Sequence, residues 1–266
     1  MAEFIVKQLG LADYATTLAA MRHFTDTRSS QTTDEIWLLQ HPSVFTMGQA
    51  AKPEHLLSTG DIPVVQTERG GQVTYHGPGQ VIAYVLFDLV RARITVKGLV
   101  CKIEQAAIDT LADFDVIGER QAGKPGVYLS PAQGGAKIAA LGLKIRKGSC
   151  FHGVAINAAM DLLPFDRINP CGYPNMPLTD IASTTRHSGP SQDLITAVTA
   201  RLAHHLQNQL QAAPFATSSF KALPLTASSF ETPPSASTAC AVLSSAVLSP
   251  AVLSPLTNPA IQRTKP

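Results

Sequence analysis

Along the first 212 residues, apolar positions recur with two different periods. Residues 14–24 space theirs three and four apart, Val100, Ile103, Ala107 and Leu111 form a single stripe, and residues 192–210 repeat the helical spacing, so three helices are predicted. The short apolar runs Ile36-Trp37-Leu38-Leu39 and 81–87 read as strands buried on both faces. From Lys137 the period becomes two. Lys137, Ala139, Leu141, Leu143 and Ile145 share one strand face while Lys144 and Arg146 turn the other way. Lys147-Gly148 supplies a turn and residues 151–157 a return strand. Lys137 therefore opens an apolar face, where an ammonium either reaches water past the strand end or requires an anionic partner.

After residue 212 the pattern disappears. Residues 213–266 hold 8 of the 19 prolines, no glycine and the pentads AVLSS, AVLSP and AVLSP, starting at Ala241, Ala246 and Ala251. Recurrent proline removes helix donors and serine competes for the backbone, so this stretch is expected to be a disordered low-complexity tail. Two segments result, a domain at 1–212 and a tail at 213–266.

Charge excludes little of that picture but narrows function. The chain carries 21 basic and 19 acidic side chains, and the tail's Lys221, Glu231, Arg263 and Lys265 account for the whole formal +2, so no nucleic-acid partner is indicated. No run reaches the roughly 18 apolar residues of a membrane span, and the opening residues lack a basic leader before an apolar stretch, so a cytoplasmic protein without membrane contact is expected. Cys101, Cys150, Cys171 and Cys240 form no CxxC pair and no cluster with histidine, which points away from a metal and from a disulfide framework.

Two places carry candidate chemistry. Residues 69–80, RGGQVTYHGPGQ, bring four glycines together with Arg69, Tyr75 and His76 just before the strand at Val81. Glycines allow close backbone approach to a ligand, yet no Gly-Lys-Ser/Thr follows and the strand comes after the glycines, so neither a phosphate loop nor a dinucleotide fingerprint fits. Cys171 lies in Asn169-Pro170-Cys171-Gly172, where the flanking proline and glycine present it in a turn. An ordinary cysteine has a pKa of about 8.5 and needs a nearby positive charge to become reactive, and Lys137 is the obvious source.

Together, residues 69–80, KIAALG from Lys137, HGVA from His152 and RINPCGY from Arg167 resemble the lipoyl(octanoyl) transferase family of lipoate biosynthesis. His41-Pro42, Phe45-Thr46-Met47-Gly48 and Glu54-His55-Leu56-Leu57 resemble its upstream pattern, so the likeness covers roughly residues 3–210. The resemblance implies an α+β fold: a single domain with a mixed β-sheet and flanking helices, similar to the biotin protein ligase catalytic domain. It implies transfer of octanoyl from octanoyl-acyl carrier protein, through a Cys171 thioester, to one lysine of apo lipoyl domains, the first step of endogenous lipoate biosynthesis. The acceptors would be 2-oxoacid dehydrogenase complexes and glycine cleavage H protein, and no cofactor would be needed. Cys171 falls on the family's nucleophile and Lys137 on its lysine partner. The acyl pocket falls on Arg69, Gly70, Gly71, Gln72, Val73, Thr74, Tyr75 and His76, on Ala140, Leu141 and Gly142, and on Gly153, Val154 and Ala155. Ala140 and Val154 depart from the commoner serine and leucine, which bears on pocket width.

From the residues, backbone amides near Gly172 or in the glycine loop are candidate oxyanion donors. Arg91, Arg93, Lys97, Lys144, Arg146 and Lys147 are candidates for a rim that docks an acidic carrier. Rival readings are an ATP-dependent ligase, a cysteine hydrolase using His76 or His152 as base, and a non-catalytic carrier-binding module.

Overall fold

The computed structural model describes residues 4–212. The predicted tail, its pentads and Cys240 lie outside the described residues. Phe4–Leu11 (β1) leads into Tyr14–Thr27 (α1), whose start is fixed by the Asp13 carboxylate accepting from the Thr16 amide at 2.8 Å. Asp34–Gln40 (β2), Val44–Met47 (β3), Val64–Gln66 (β4), Val73–His76 (β5) and Gln80–Asp88 (β6) follow. The short helix Leu89–Ala92 (α2) precedes Val96–Ala112 (α3), capped by Thr95. Then come Gly118–Gln121 (β7), Lys124–Leu129 (β8), Lys137–Arg146 (β9), Ser149–Asn157 (β10), Ile181–Thr185 (α4) and Ser191–Gln211 (α5).

A mixed seven-stranded sheet of order β1-β2-β6-β10-β9-β8-β7 forms the centre, and β4-β3-β5 make a second, three-stranded sheet. β2 and β6 are buried along nearly their whole length, as continuous apolar runs require. Leu99, Ile103, Ala107 and Leu111 of α3 and Leu194, Val198, Leu202 and Leu206 of α5 cover one face, over Ile36, Leu38, Val85 and Ile156. On the other face, Tyr14, Leu18 and Met21 of α1 pack on Trp37, Leu39, Ile82, Tyr84 and Phe151.

The α+β expectation and the helices and strands read from periodicity are present. Within the glycine-rich stretch, Val73–His76 is a strand of the small sheet, which no periodicity signalled. The other strands of that sheet, β3 and β4, have only four and three residues, too few to show a period.

Candidate active site

Cys171 occupies the single 3₁₀ turn Pro170–Gly172, with φ 57° and ψ 16°, in the left-handed region. The turn is held on both sides. Asn169 N–H donates to His55 O at 2.9 Å, Gly172 N–H to Asn169 O at 2.9 Å and Tyr173 N–H to Pro170 O at 3.0 Å. The Gly172 amide, one of the expected oxyanion donors, is thus engaged within the turn.

Shortly after Cys171 the chain clips onto the start of β9. Lys137 N–H donates to Pro177 O at 2.8 Å, and Thr179 N–H donates to Lys137 O at 3.1 Å. This parallel segment brings the Cys171 turn to Lys137. Lys137 Nζ stands 3.2 Å from Cys171 Sγ, 3.0 Å from Pro125 O and 5.2 Å from the centroid of the Tyr128 ring. Only 4% of Lys137 is exposed, so the ammonium does not reach bulk water; a sulfur, a carbonyl and an aromatic face take the place of hydration.

One glycine makes that placement geometrically feasible. Gly126 has φ 122°, and a Cβ there would stand 2.5 Å from Ala139 O and 2.7 Å from Lys137 Cε. Its amide donates to Glu104 Oε1 of α3 at 3.0 Å, and Arg120 braces that carboxylate at 3.1 Å. Helix α3 therefore positions the lysine through the backbone of β8. Sequence reading missed both Gly126 and Glu104, since a lone glycine and a helical glutamate are ordinary in isolation.

A cavity of about 390 Å³ runs from this pair. Arg69, Gly70, Gly71, Gln72, Val73, Thr74 and His76 line it from the glycine stretch, Ala140, Leu141 and Gly142 from β9, and Gly153, Val154 and Ala155 from β10. Tyr75, expected among them, does not line it. Strand alternation turns its ring the other way, 5.5 Å from Phe45 and 5.4 Å from Phe165, with its hydroxyl 2.9 Å from Ser43 Oγ. His152 and Tyr173 line it from HGVA and RINPCGY, and so do Tyr14, Tyr84, Tyr128, Lys124 and Pro125. The last five come from scattered elements, so no local motif announced them. Lys124 lies 5.1 Å from the Tyr173 ring centroid, bridging the β8 end and the Cys171 turn.

Buried polar groups gather beside the cavity. The Arg69 guanidinium donates to Thr46 O at 2.7 Å, Thr46 Oγ1 at 2.9 Å and Gly70 O at 3.0 Å. Burial pulls its pKa down, opposed by Tyr14, Cys171 and Tyr84. Burial pushes His76 to about 3 and His152 to about 3, so both imidazoles are neutral. His76 Nδ1–H donates to Gln80 Oε1 at 2.7 Å, and neither His76 nor His152 bonds the thiol, whose partner is Lys137. That arrangement disfavours a cysteine-histidine hydrolase. Among the candidate docking cations, Arg91 is paired with Asp34 at 2.7 Å and Arg146 with Asp26 at 2.9 Å, which removes both from a free basic rim.

Residues 13–203 match the family described as Lipoyl protein ligase A/B catalytic domain. The octanoyltransferase of Xanthomonas campestris pv. campestris (strain B100) is 55% identical over 193 residues, covering 73% of this chain and 81% of the relative. That of Herminiimonas arsenicoxydans is 55% identical over 213 residues, covering 77% and 96%. A bi-partite lipoate protein ligase from Thermoplasma acidophilum shares the fold at a TM-score of 0.59 and 16% identity, covering 79% of this chain and 84% of that one. The chain belongs to the lipoyl protein ligase A/B catalytic-domain family. Within that family it is an enzyme of the lipoyl(octanoyl) transferase group. Among the described residues, no helix is long and apolar enough to cross a membrane.

Proposed function

We propose that the enzyme moves an octanoyl group from octanoyl-acyl carrier protein to Cys171, and from Cys171 to the ε-amine of a lysine on an apo lipoyl domain. The observation that carries this reading is the 3.2 Å approach of Lys137 Nζ to Cys171 Sγ at one end of a cavity with apolar walls. The Lys137 ammonium donates to the sulfur and is the charge partner of the thiolate that reacts. The thiolate attacks the donor thioester carbonyl, the carbonyl re-forms, and the carrier's thiolate leaves with a proton from Lys137. One thioester replaces another, so the exchange is nearly balanced in energy and needs no nucleotide.

In the second half the acceptor amine attacks the acyl-Cys171 carbonyl. Lys137, now neutral, takes the proton that the nitrogen sheds, the Cys171 thiolate departs, and the starting charges are restored. Gln72 is the donor we assign to the developing oxyanion. Its carboxamide carbon lies 3.5 Å from where a Cβ on Gly172 would stand, and its Oε1 is buried without a hydrogen-bond partner among the described residues. Ala140, Leu141 and Val154 wall the acyl chain, each buried methylene contributing about 0.8 kcal/mol.

Intact-mass spectrometry after mixing with octanoyl-carrier tests the reading. An octanoyl increment that hydroxylamine removes, that passes to an apo lipoyl domain without ATP, and that Cys171→Ala abolishes is expected. Full ligation by Cys171→Ser that depends on ATP would replace transfer with ligase chemistry.

A further inference from the structure

The segment Glu54-His55-Leu56-Leu57 takes no part in the chemistry above, yet it is fastened to the chain that leads into Cys171. His55 O accepts from the Asn169 amide at 2.9 Å, Leu56 and Ile168 form an antiparallel bridge, and the Leu57 and Ser58 amides both donate to Arg167 O, at 2.9 Å and 3.1 Å. These contacts carry the half-buried His55 ring to the Cys171 turn.

There the ring meets a second polar group beside a glycine. Gly172 has φ 78°, and a Cβ on it would stand 3.3 Å from His55 Nε2 and 3.5 Å from the Gln72 carboxamide carbon. Glycine thus keeps open a space, one residue from Cys171, that an imidazole and a carboxamide both border. The Asn169 side chain fixes what the ring presents to that space. Its Nδ2–H donates to His55 Nδ1 at 3.5 Å, and a neutral imidazole that accepts at Nδ1 carries its proton on Nε2. The ring atom nearest the space is therefore a donor, whereas the Gly172 amide is already engaged with Asn169 O at 2.9 Å.

We infer that His55 is a further catalytic residue, donating Nε2–H to the oxyanion of the tetrahedral adduct on Cys171, so that His55 and Gln72 form a two-donor site beside Gly172. The inference rests on the acyl-transfer reading above. When the Cys171 sulfur adds to the donor carbonyl, the π electron pair of the C–O bond moves onto oxygen, and it returns when the carrier's thiolate leaves. Attack by the acceptor amine repeats the cycle at the same carbon. The charge is on that oxygen only in passing, so a donor aimed at it lowers the barrier without tightening the binding of substrate. His55 keeps its proton throughout, and the proton transfers stay with Lys137.

The test sets acylation of Cys171 by octanoyl-carrier beside its alkylation by iodoacetamide, in which sulfur displaces iodide and no oxyanion forms. Both are measured in the full-length enzyme and in His55→Gln, His55→Asn and His55→Phe. Gln restores an N–H donor near the place of Nε2, Asn reproduces only the Nδ1 end of the ring, and Phe has neither. The acylation rate at saturating carrier is expected to fall about 10²-fold in Asn and Phe and to be largely kept in Gln, with KM and the alkylation rate unchanged in all three. Parallel loss of acylation and alkylation would overturn the donor role in favour of a structural one, as would activity kept by Asn and lost in Gln. Unchanged acylation in Asn and Phe would overturn it as well. Should His55→Phe not fold, Gln and Asn still decide, because the two roles rank them in opposite order. Failure of the wild type to form an octanoyl thioester would instead overturn the transfer reading, and the oxyanion role with it.

Discussion

The two faces of the seven-stranded sheet are built from opposite materials. Under α3 and α5, aliphatic side chains such as Leu99, Ile103, Val198, Leu202 and Leu206 are completely buried against β-strand residues of the same kind. On the face toward α1 and the small sheet, Tyr14, His41, Tyr84, His76, His152 and Arg69 are buried as well, although each carries a polar atom. His41 Nδ1–H donates to Ala12 O at 2.6 Å and its Nε2 accepts from the Tyr84 hydroxyl at 2.8 Å, while Tyr14 stacks 5.9 Å from His76. The first face is where the fold gains its stability. The second spends part of it to keep charge and hydrogen-bonding groups beside a cavity.

That contrast can be broken from either side. The largest effect is expected at Gly126→Ala, which puts a methyl into the space of the Lys137 side chain; displacement of the ammonium by even about 1 Å should cost about 10²-fold in acylation rate. Burst kinetics with octanoyl-carrier measure it, with a crystal structure of the variant to locate Lys137. Leu202→Ala on α5 should do the reverse. Truncating this fully buried side chain is expected to cost about 2–5 kcal/mol in urea unfolding, with kcat per folded molecule unchanged.

The smallest effect separates the faces by pH. His76 and His152 titrate at about 3 in the folded protein against 6.5 as the ordinary value, so below pH 6.5 the unfolded chain binds protons that the folded chain does not. Their contribution is complete above 6.5 and is lost as pH falls toward 3, at up to about 1.4 kcal/mol per pH unit for each histidine. Urea midpoints between pH 7.5 and 4.5 should therefore fall less steeply in His152→Asn than in the wild type. Leu202→Ala should lower the whole curve without changing its slope.

Much of the fold could be read locally. The stripe Val100, Ile103, Ala107 and Leu111 and the alternation from Lys137 are patterns with a period, and the structure contains α3 and β9 there. Lys137 and Cys171 were singled out by chemistry, one as a cation on an apolar face and the other as a thiol between proline and glycine, while their pairing was expected from the charge a reactive thiol needs and from family resemblance. Tyr75 shows the limit of a motif. Its neighbours Thr74 and His76 line the cavity, and it does not, because the stretch is a strand whose side chains alternate.

What the amino-acid order determined by itself was which segments form helices and strands and which functional groups are on hand, since both depend on neighbours within a turn or two. Tertiary structure alone decided that the chain at Pro177 and Thr179 returns to Lys137, that Gly126 leaves room for an ammonium, and that His152 is buried without a hydrogen-bond partner among the described residues. Each of these is a distance between residues far apart in the chain, and only the closure of the sheet and the packing of its helices set such distances.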